Sequence, residues 1–275
     1  MTTDSVKKFY EHNTRRFLSW GGGRKSGVMH REVWGDGVKS KEEAFHFTHQ
    51  LLLRRLNTLV ADPINVLDLG CGVGSSLMYL VRHAERTIKG TGVTISPSQV
   101  EKARERSRGL LEGMHCSFIE ADFSRLPKLD TFHFVYSIEA FVHAPDAQQY
   151  FREVAKVLEP GGKLYLIDDF LTSEKENTYL DRFRAGWRVG SLHAVKQLAE
   201  MAASAGLILK ESKDLTSYLN LGRPRDLFIK AMLSVPGVHR LSPEYIRSLD
   251  GGDALQVCLK NGWLGYKMLG FERLP

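Results

Sequence analysis

Three glycines, Gly70, Gly72 and Gly74, follow an acid, Asp68, and enclose a lone Cys71 in the stretch INVLDLGCGVGSSL, residues 64–77. Glycine lets a backbone turn sharply and approach a ligand with no Cβ in the way, and a helix opening near Ser75 offers unpaired N–H groups to it. Coming straight after a strand, VLDL, this loop invites a nucleotide cofactor. Its spacing is GxGxG and not the GxGxxG of a dinucleotide fingerprint. A carboxylate at Asp68 would repel a pyrophosphate and suits a cation or an ammonium group. A second candidate stretch is SIEAFVHAPD, where Ser137, Glu139 and His143 follow an apolar run. Glu139 and His143 are four apart and share a face if the segment turns helical. Glu139 is the first choice for an acceptor-side base or cation stabiliser and His143 the second. A histidine there also reads as a residue that simply packs under the next helix.

The segment from Val66 to Gly74 resembles the first motif of the class I S-adenosylmethionine-dependent methyltransferases, commonly (V/I)LD(L/I)GCGxG, and the order of supporting motifs extends the resemblance to about Phe170. The resemblance implies S-adenosylmethionine as cofactor, a molecule with an ammonium and a sulfonium but no phosphate. It sets Gly70, Cys71, Gly72 and Gly74 against the methionine part and Asp68 near its amino group, directly or through water. The segment GVTISPSQ is similar to the branch of cyclopropane fatty acid synthases, sterol and tocopherol methyltransferases and related natural-product enzymes. Where many methyltransferases place an acid on the ribose this chain offers Thr94, Ser96 and Gln99; the resemblance implies that Thr94 and Gln99 hold the ribose, with Ile95 beside them at the cofactor. Ser96 and Pro97 also read as N-cap and first residue of a helix, and both readings can hold together. In EADFSRLP the resemblance implies that Asp122 accepts from the adenine amino group and that Phe123 packs on the ring. Asp122 by itself also reads as a turn residue. An N-terminal helix closing over the cofactor is a further implication, with Tyr10 as its contact and His12 and Trp20 as other lid residues. Arg15, Arg16, Arg24, Lys25 and Arg31 form a basic cluster suited to clamping a phosphate or carboxylate of the acceptor.

The elements that must position these residues alternate in strand and helix patterns. INVLDLG, SSLMYLVRHAER, IKGTGVTI, SPSQVEKARERSRGLLE, HCSFIEAD, TFHFVYSI, DAQQYFREVAKVLEP and GKLYLIDDFL follow one another in the rhythm of a parallel sheet. SLHAVKQLAEMAASAG reads as a helix stopped by glycine, LILKESKDL as a strand, and WLGYKMLGFERL as a last, antiparallel strand after a tight Asn261-Gly262 connection. The expected fold is therefore α/β, a Rossmann-like open sheet, mostly parallel and flanked by helices. Residues 1–62 form a helical N-terminal lid and 63–275 the methyltransferase domain, with cap insertions at about 172–190 and 216–262. Aromatic residues in or near these insertions, Phe141, Tyr179, Phe183, Trp187, Tyr218 and Phe228, are candidates for an acceptor pocket able to stabilise a carbocation.

Composition narrows the function classes. The chain has 275 residues, 43% hydrophobic and 25% charged, and no apolar run approaches the roughly 20 residues of a membrane span. Three scattered cysteines and no secretory pattern at the start fit a reducing, cytoplasmic setting, and nothing in their spacing supplies a metal site. The net charge of +6 is compatible with an anionic small-molecule acceptor. No N/D-P-P-Y-type motif follows the fourth strand, which argues against a nucleic-acid substrate. An exposed N-terminal helix could be exchanged between two copies in a homodimer. The leading expectation is methylation of a natural-product, lipid or isoprenoid-like acceptor. C-methylation of an unsaturated substrate, a prenyl diphosphate being one candidate, comes first, with Glu139 as base. N- or O-methylation of a small metabolite comes second, and a nucleic-acid methyltransferase or a non-catalytic cofactor-binding protein comes last.

Overall fold

The computed structural model describes residues 3–20, 27–173, 176–235, 237–238 and 243–275; within the first helix the side chains of residues 12, 13 and 15–20 lie outside this description. Seven strands form one sheet: β1 Ile64–Leu69, β2 Ile88–Thr94, β3 His115–Glu120, β4 Phe132–Ile138, β5 Leu158–Leu171, β6 Leu207–Asp214 and β7 Leu264–Arg273. Their order is β3-β2-β1-β4-β5-β7-β6. β7 runs antiparallel to both of its neighbours, and the other described pairings are parallel. The order reverses between β1 and β4, so the ligand crevice of this open sheet is expected outside their carboxyl ends.

The helices are α1 Thr3–Trp20, α2 Lys41–Leu56, α3 Ser75–His83, α4 Pro97–Ser107, α5 Ala147–Val157, α6 Thr178–Trp187, α7 Val195–Ser204, α8 Pro224–Leu233 and α9 Pro243–Lys260. Strand side chains alternate between faces, and the core divides accordingly. Val66, Phe134, Tyr136 and Ile167 pack with α2, α3, α6 and α9, whereas Leu67, Val135, Leu164 and Leu166 pack with α5 and α7. Leu51, Leu52 and Leu56 of α2 thus belong to the same core as the sheet.

Local chemistry sets the boundaries. Ser96 caps α4 through its side chain with Pro97 at the first turn, as its sequence suggests, and Asp146 caps α5. The segment SLHAVKQ is helical only from Val195. Ser191–His193 instead runs alongside β5, where Leu171 N donates to His193 O at 3.0 Å, so tertiary pairing overrides the helical pattern there. The two cap stretches supply α6, and α8 with α9, and α6 packs against α9 beside the sheet.

Candidate active site

The glycine loop leaves β1 with Gly70 at φ +86° and Gly72 at φ +53°. Both Gly70 N and Cys71 N donate to Val93 O of β2, at 2.8 and 2.9 Å, which folds the loop back over the strand ends. Gly74, at φ +77°, then opens α3 with no side-chain cap. A Cβ on Gly70 would stand 2.3 Å from the Cβ of Ala140, so the loop and the end of β4 close together only because this residue has no side chain. Cys71 Sγ is buried over Gly92, and burial pushes its thiol far up, which leaves it a packing group.

Above this loop lies a cavity of about 120 Å³. Among the residues expected from the sequence, Tyr10, Gly70, Cys71, Gly72, Thr94, Ile95, Gln99, Asp122, Phe123, Glu139 and His143 line it together. Asp68, Gly74 and Ser137 do not. Asp68 is buried behind the loop, where Tyr136 Oη donates to it at 2.8 Å, and burial raises its carboxyl to about 7 in spite of that bond. Ser137 is buried in β4, and Gly74 packs on Phe118.

Helix α1 roofs the cavity and is tied to it at successive turns. Thr3 Oγ1 donates to Asp122 at 2.8 Å, Lys7 meets Glu120 at 2.5 Å, and Tyr10 Oη lies 2.7 Å from His143 Nε2. Glu11 accepts from Ser96 and Ser98, and Gln99 Nε2 donates to Thr14 Oγ1 at 2.9 Å. Gln99 Oε1 meanwhile accepts from Thr94 Oγ1 at 2.7 Å, so the Thr94–Gln99 pair is held by the roof. Thr3, Glu11 and Thr14 had no distinguishing signal in the sequence. His12, Arg15, Arg16 and Trp20 lie outside the described side chains, and Arg24 and Lys25 outside the described residues.

His143 sits on a 3-10 turn, Phe141–His143, pinned from outside: Gly190 N and Ser191 N donate to Val142 O. Its Nδ1 lies 3.2 Å from Arg188 O, a carbonyl, so Nδ1 carries the proton and Nε2 accepts from Tyr10. Burial lowers His143 to about 4 and keeps it neutral.

Glu139 has φ +51°, unusual for a residue with a side chain, and its N–H donates to Ile167 O at 2.8 Å. Its Oε1 accepts from Arg31 N and Arg31 Nε, both at 3.0 Å, and from Tyr266 Oη at 2.9 Å. Among the described residues no donor reaches Oε2. Burial pushes the Glu139 carboxyl up, but the Arg31 guanidinium, His30 and the two hydrogen bonds from Arg31 together outweigh it and hold the group below its ordinary value. Arg31 also grips Asp169 with both terminal nitrogens, at 3.1 and 2.7 Å, and lies 4.2 Å over the Tyr266 ring. For Arg31 the expectation of an anion clamp is corrected: it is committed to two carboxylates of its own chain. Burial raises Asp169 despite this bond, and raises Asp168 further with Asp169 beside it.

A larger cavity of about 360 Å³ adjoins the first, and Met29, His30, Glu139, His143 and Trp187 line both. Phe183, Trp187 and Tyr245 contribute aromatic faces to it, and Arg223, Arg225, Lys230 and Lys260 basic groups. Of the aromatic candidates, Phe183 and Trp187 are therefore in place. Phe141 is instead a core residue of the 3-10 turn, Tyr179 is tilted toward Trp263, Tyr218 meets Phe47, and Phe228 is 71% exposed. A row of histidines also escaped the sequence reading: His30 Nε2 meets His49 Nε2 at 2.9 Å, and His49 Nδ1 meets His46 Nδ1 at 3.0 Å. The i,i+3 pair in FHFTHQ was its only signal.

The first cavity fits S-adenosylmethionine on chemical grounds. Carboxylates, hydroxyls and bare backbone line it, no Lys or Arg is among its described lining residues, and the Gly70 cradle would be filled by a Cβ. Such a lining accepts a cation better than a phosphate. The Methyltransferase domain family matches residues 66–162. The methyltransferase GfsG of Streptomyces halstedii is 32% identical over 194 residues, 68% of this chain and 68% of its own length. Cycloartenol-C-24-methyltransferase 1 of Oryza sativa subsp. japonica is 30% identical over 78% of this chain, which spans 61% of the rice protein. The fold is also that of geranyl diphosphate C-methyltransferase from Streptomyces coelicolor A3(2), solved with Mg2+, geranyl diphosphate and S-adenosyl-L-homocysteine. That structure has a TM-score of 0.69 and 17% identity, with 98% of this chain and 97% of the other covered. The chain belongs to the S-adenosylmethionine-dependent methyltransferases, with S-adenosylmethionine as methyl donor, and its relatives are methyltransferases of small molecules.

Proposed function

We propose that this enzyme methylates a carbon atom of an unsaturated, lipid- or isoprenoid-like acceptor held in the larger cavity, with Glu139 as the base that removes the proton afterwards. The observation that carries this reading is the position of Glu139 on the wall shared by both cavities, with one carboxylate oxygen committed to Arg31 and Tyr266 and no donor among the described residues on the other.

Bound in the smaller cavity, S-adenosylmethionine supplies an electrophilic methyl group on an activated leaving group. The protein's part is to align the acceptor and exclude water, which the α1 roof and the α6–α9 wall are built to do. When one alkene carbon forms its bond to the methyl and the sulfur–methyl bond breaks, the positive charge falls on the other alkene carbon, and Glu139 then takes the proton from a carbon next to it. The Phe183 and Trp187 faces and the negative charge of Glu139 suit that charge. The adjacent C–H of a carbocation is strongly acidic, so a carboxylate held below its ordinary pKa is still an adequate base. Such a carboxylate is a weak base toward an alcohol, which places N- or O-methylation second. His143 is a poor alternative base because its Nε2 already accepts from Tyr10. Relatives named for sterol C-24 and geranyl diphosphate C-methylation support the same reaction class. Lys230 and Lys260 in the larger cavity's lining would suit a prenyl diphosphate.

Incubation with methyl-labelled S-adenosylmethionine and a panel of sterols, prenyl diphosphates, unsaturated acyl lipids, phenols and amines tests the reading. Product mass and label position should show a new carbon–carbon bond. Label confined to oxygen or nitrogen would overturn it.

A further inference from the structure

His49 of α2 is fully buried, as are Leu51, Leu52 and Leu53 of the same helix, yet its ring has three polar partners: His30 Nε2 at 2.9 Å, Ser76 Oγ at 2.9 Å and His46 Nδ1 at 3.0 Å. A histidine taken out of water at this depth costs more than an apolar side chain, so the contacts call for a role beyond packing. His30 and Ser76 both line the smaller cavity, and His30 lines the larger one too. His30 is followed by Arg31, whose N and Nε hold Glu139 Oε1.

The direction of each proton in this row follows from one carbonyl. His30 Nδ1 lies 3.1 Å from Arg31 O, which can only accept, so Nδ1 carries the proton. Burial lowers His30, His46 and His49 alike and keeps the three rings neutral, so His30 Nε2 is bare and accepts from His49 Nε2–H. His49 Nδ1 is then bare in turn and accepts from His46 Nδ1–H, while Ser76 Oγ shares the His49 N–H. The His46 ring is itself held by stacking on Tyr79 at 4.2 Å. With the His30 proton on its other nitrogen, a lone pair would face Arg31 O and displace the backbone that holds Glu139.

We infer that His49 is a positioning residue for methyl transfer: its Nε2–H locks His30 in the tautomer that ties down Arg31, and Arg31 in turn orients Glu139. His49 is not among the residues lining either cavity, so it acts through His30 and Ser76. The effect on the reaction rests on the proposed role of Glu139; the tautomer lock does not.

The test combines nitrogen NMR of the full chain, isotope-labelled at histidine, with single-turnover methyl transfer to the acceptor found by the panel. Wild type, His49→Gln and His49→Leu are compared, with chemical denaturation reporting that each is folded. Wild type without cofactor or acceptor should show His30 and His46 protonated at Nδ1 and His49 at Nε2. Gln keeps an N–H near the place of Nε2 and should keep His30 in that form, whereas Leu offers no donor and should release it. His49→Leu should transfer the methyl at least about tenfold slower at saturating cofactor and acceptor, and His49→Gln within about threefold of wild type. In a Glu139→Gln background, His49→Leu should cost no more than about twofold, because the group it positions is already gone. His30 protonated at Nε2 in wild type, or a His30 tautomer unchanged in His49→Leu, would overturn the inference. So would an equal loss of rate in both backgrounds, which is what a purely structural effect gives. Wild-type transfer by Glu139→Gln alone would sink the base reading, and the His30 tautomers in wild type and His49→Leu would still decide the lock.

Discussion

Arg31 holds Glu139 through a single carboxylate oxygen, with backbone N and Nε both 3.0 Å from Oε1, and so leaves Oε2 directed at neither Arg31 nor Tyr266. The same guanidinium closes a two-pronged bond on Asp169. One cation therefore fixes the orientation of Glu139 and offsets two carboxylates at the ends of β4 and β5.

Replacing Arg31 by Gln should have two separable effects. Glu139 loses the charge that holds its pKa down, so the acid limb of the pH–rate profile should move to higher pH. Removing one partner of a partly buried ion-pair cluster should also cost about 3 kcal/mol of stability, read by chemical denaturation. Arg31→Lys retains the charge but not the fork, and should restore the pH profile better than the stability.

His143 should contribute no ionisation to the rate profile near neutral pH, because burial keeps it neutral down to about 4. Tyr10→Phe removes the hydroxyl that bonds it and loosens one attachment of α1. Loss of about 1 kcal/mol, roughly fivefold in cofactor affinity, is the expected result by calorimetry.

Gly70 and Gly161 both have positive φ, +86° and +75°, but only the first would bring a Cβ against a neighbour, Ala140 at 2.3 Å. Gly161→Ala should cost only the backbone strain, about 1 kcal/mol. Gly70→Ala should cost clearly more and should abolish cofactor binding, measured by thermal shift with and without S-adenosylmethionine. Equal behaviour of the two would contradict the cradle.

Asp68 gives the ligand-free protein a pH signature. Burial raises its carboxyl from an ordinary 3.8 to about 7, so the folded state binds a proton that the unfolded state has released across that window. This group's contribution to stability is fully present below about pH 4 and is lost as pH rises through about 7. Denaturation curves at stepped pH should show that slope, and Asp68→Asn should flatten it.

The sheet and the glycine loop were legible in the sequence because both are local. Alternating apolar runs mark the strands of Ile64–Leu171, and Gly70, Gly72 and Gly74 sit where a turn needs positive φ. Glu139 could be picked out because strand ends face the crevice of an open parallel sheet. Its partner could not: Arg31 is 108 residues away and reads as one more member of a basic cluster. The same holds for the roof, where Thr3 meets Asp122 and Thr14 meets Gln99 through contacts that no spacing encodes. Phe228 looked like a pocket residue because aromatic type says nothing about which side of a helix meets the cavity, and only the packing of α8 decides it.

The central claim is that Glu139 is the base of a carbon methylation, and single-turnover transfer from labelled S-adenosylmethionine by wild type and Glu139→Gln tests it most directly. The cofactor affinity of both proteins is measured in parallel. With the acceptor identified by the panel, the variant should bind the cofactor as wild type does and transfer the methyl slower by a factor on the order of 10²–10⁴. A variant that methylates carbon at the wild-type rate would contradict the account.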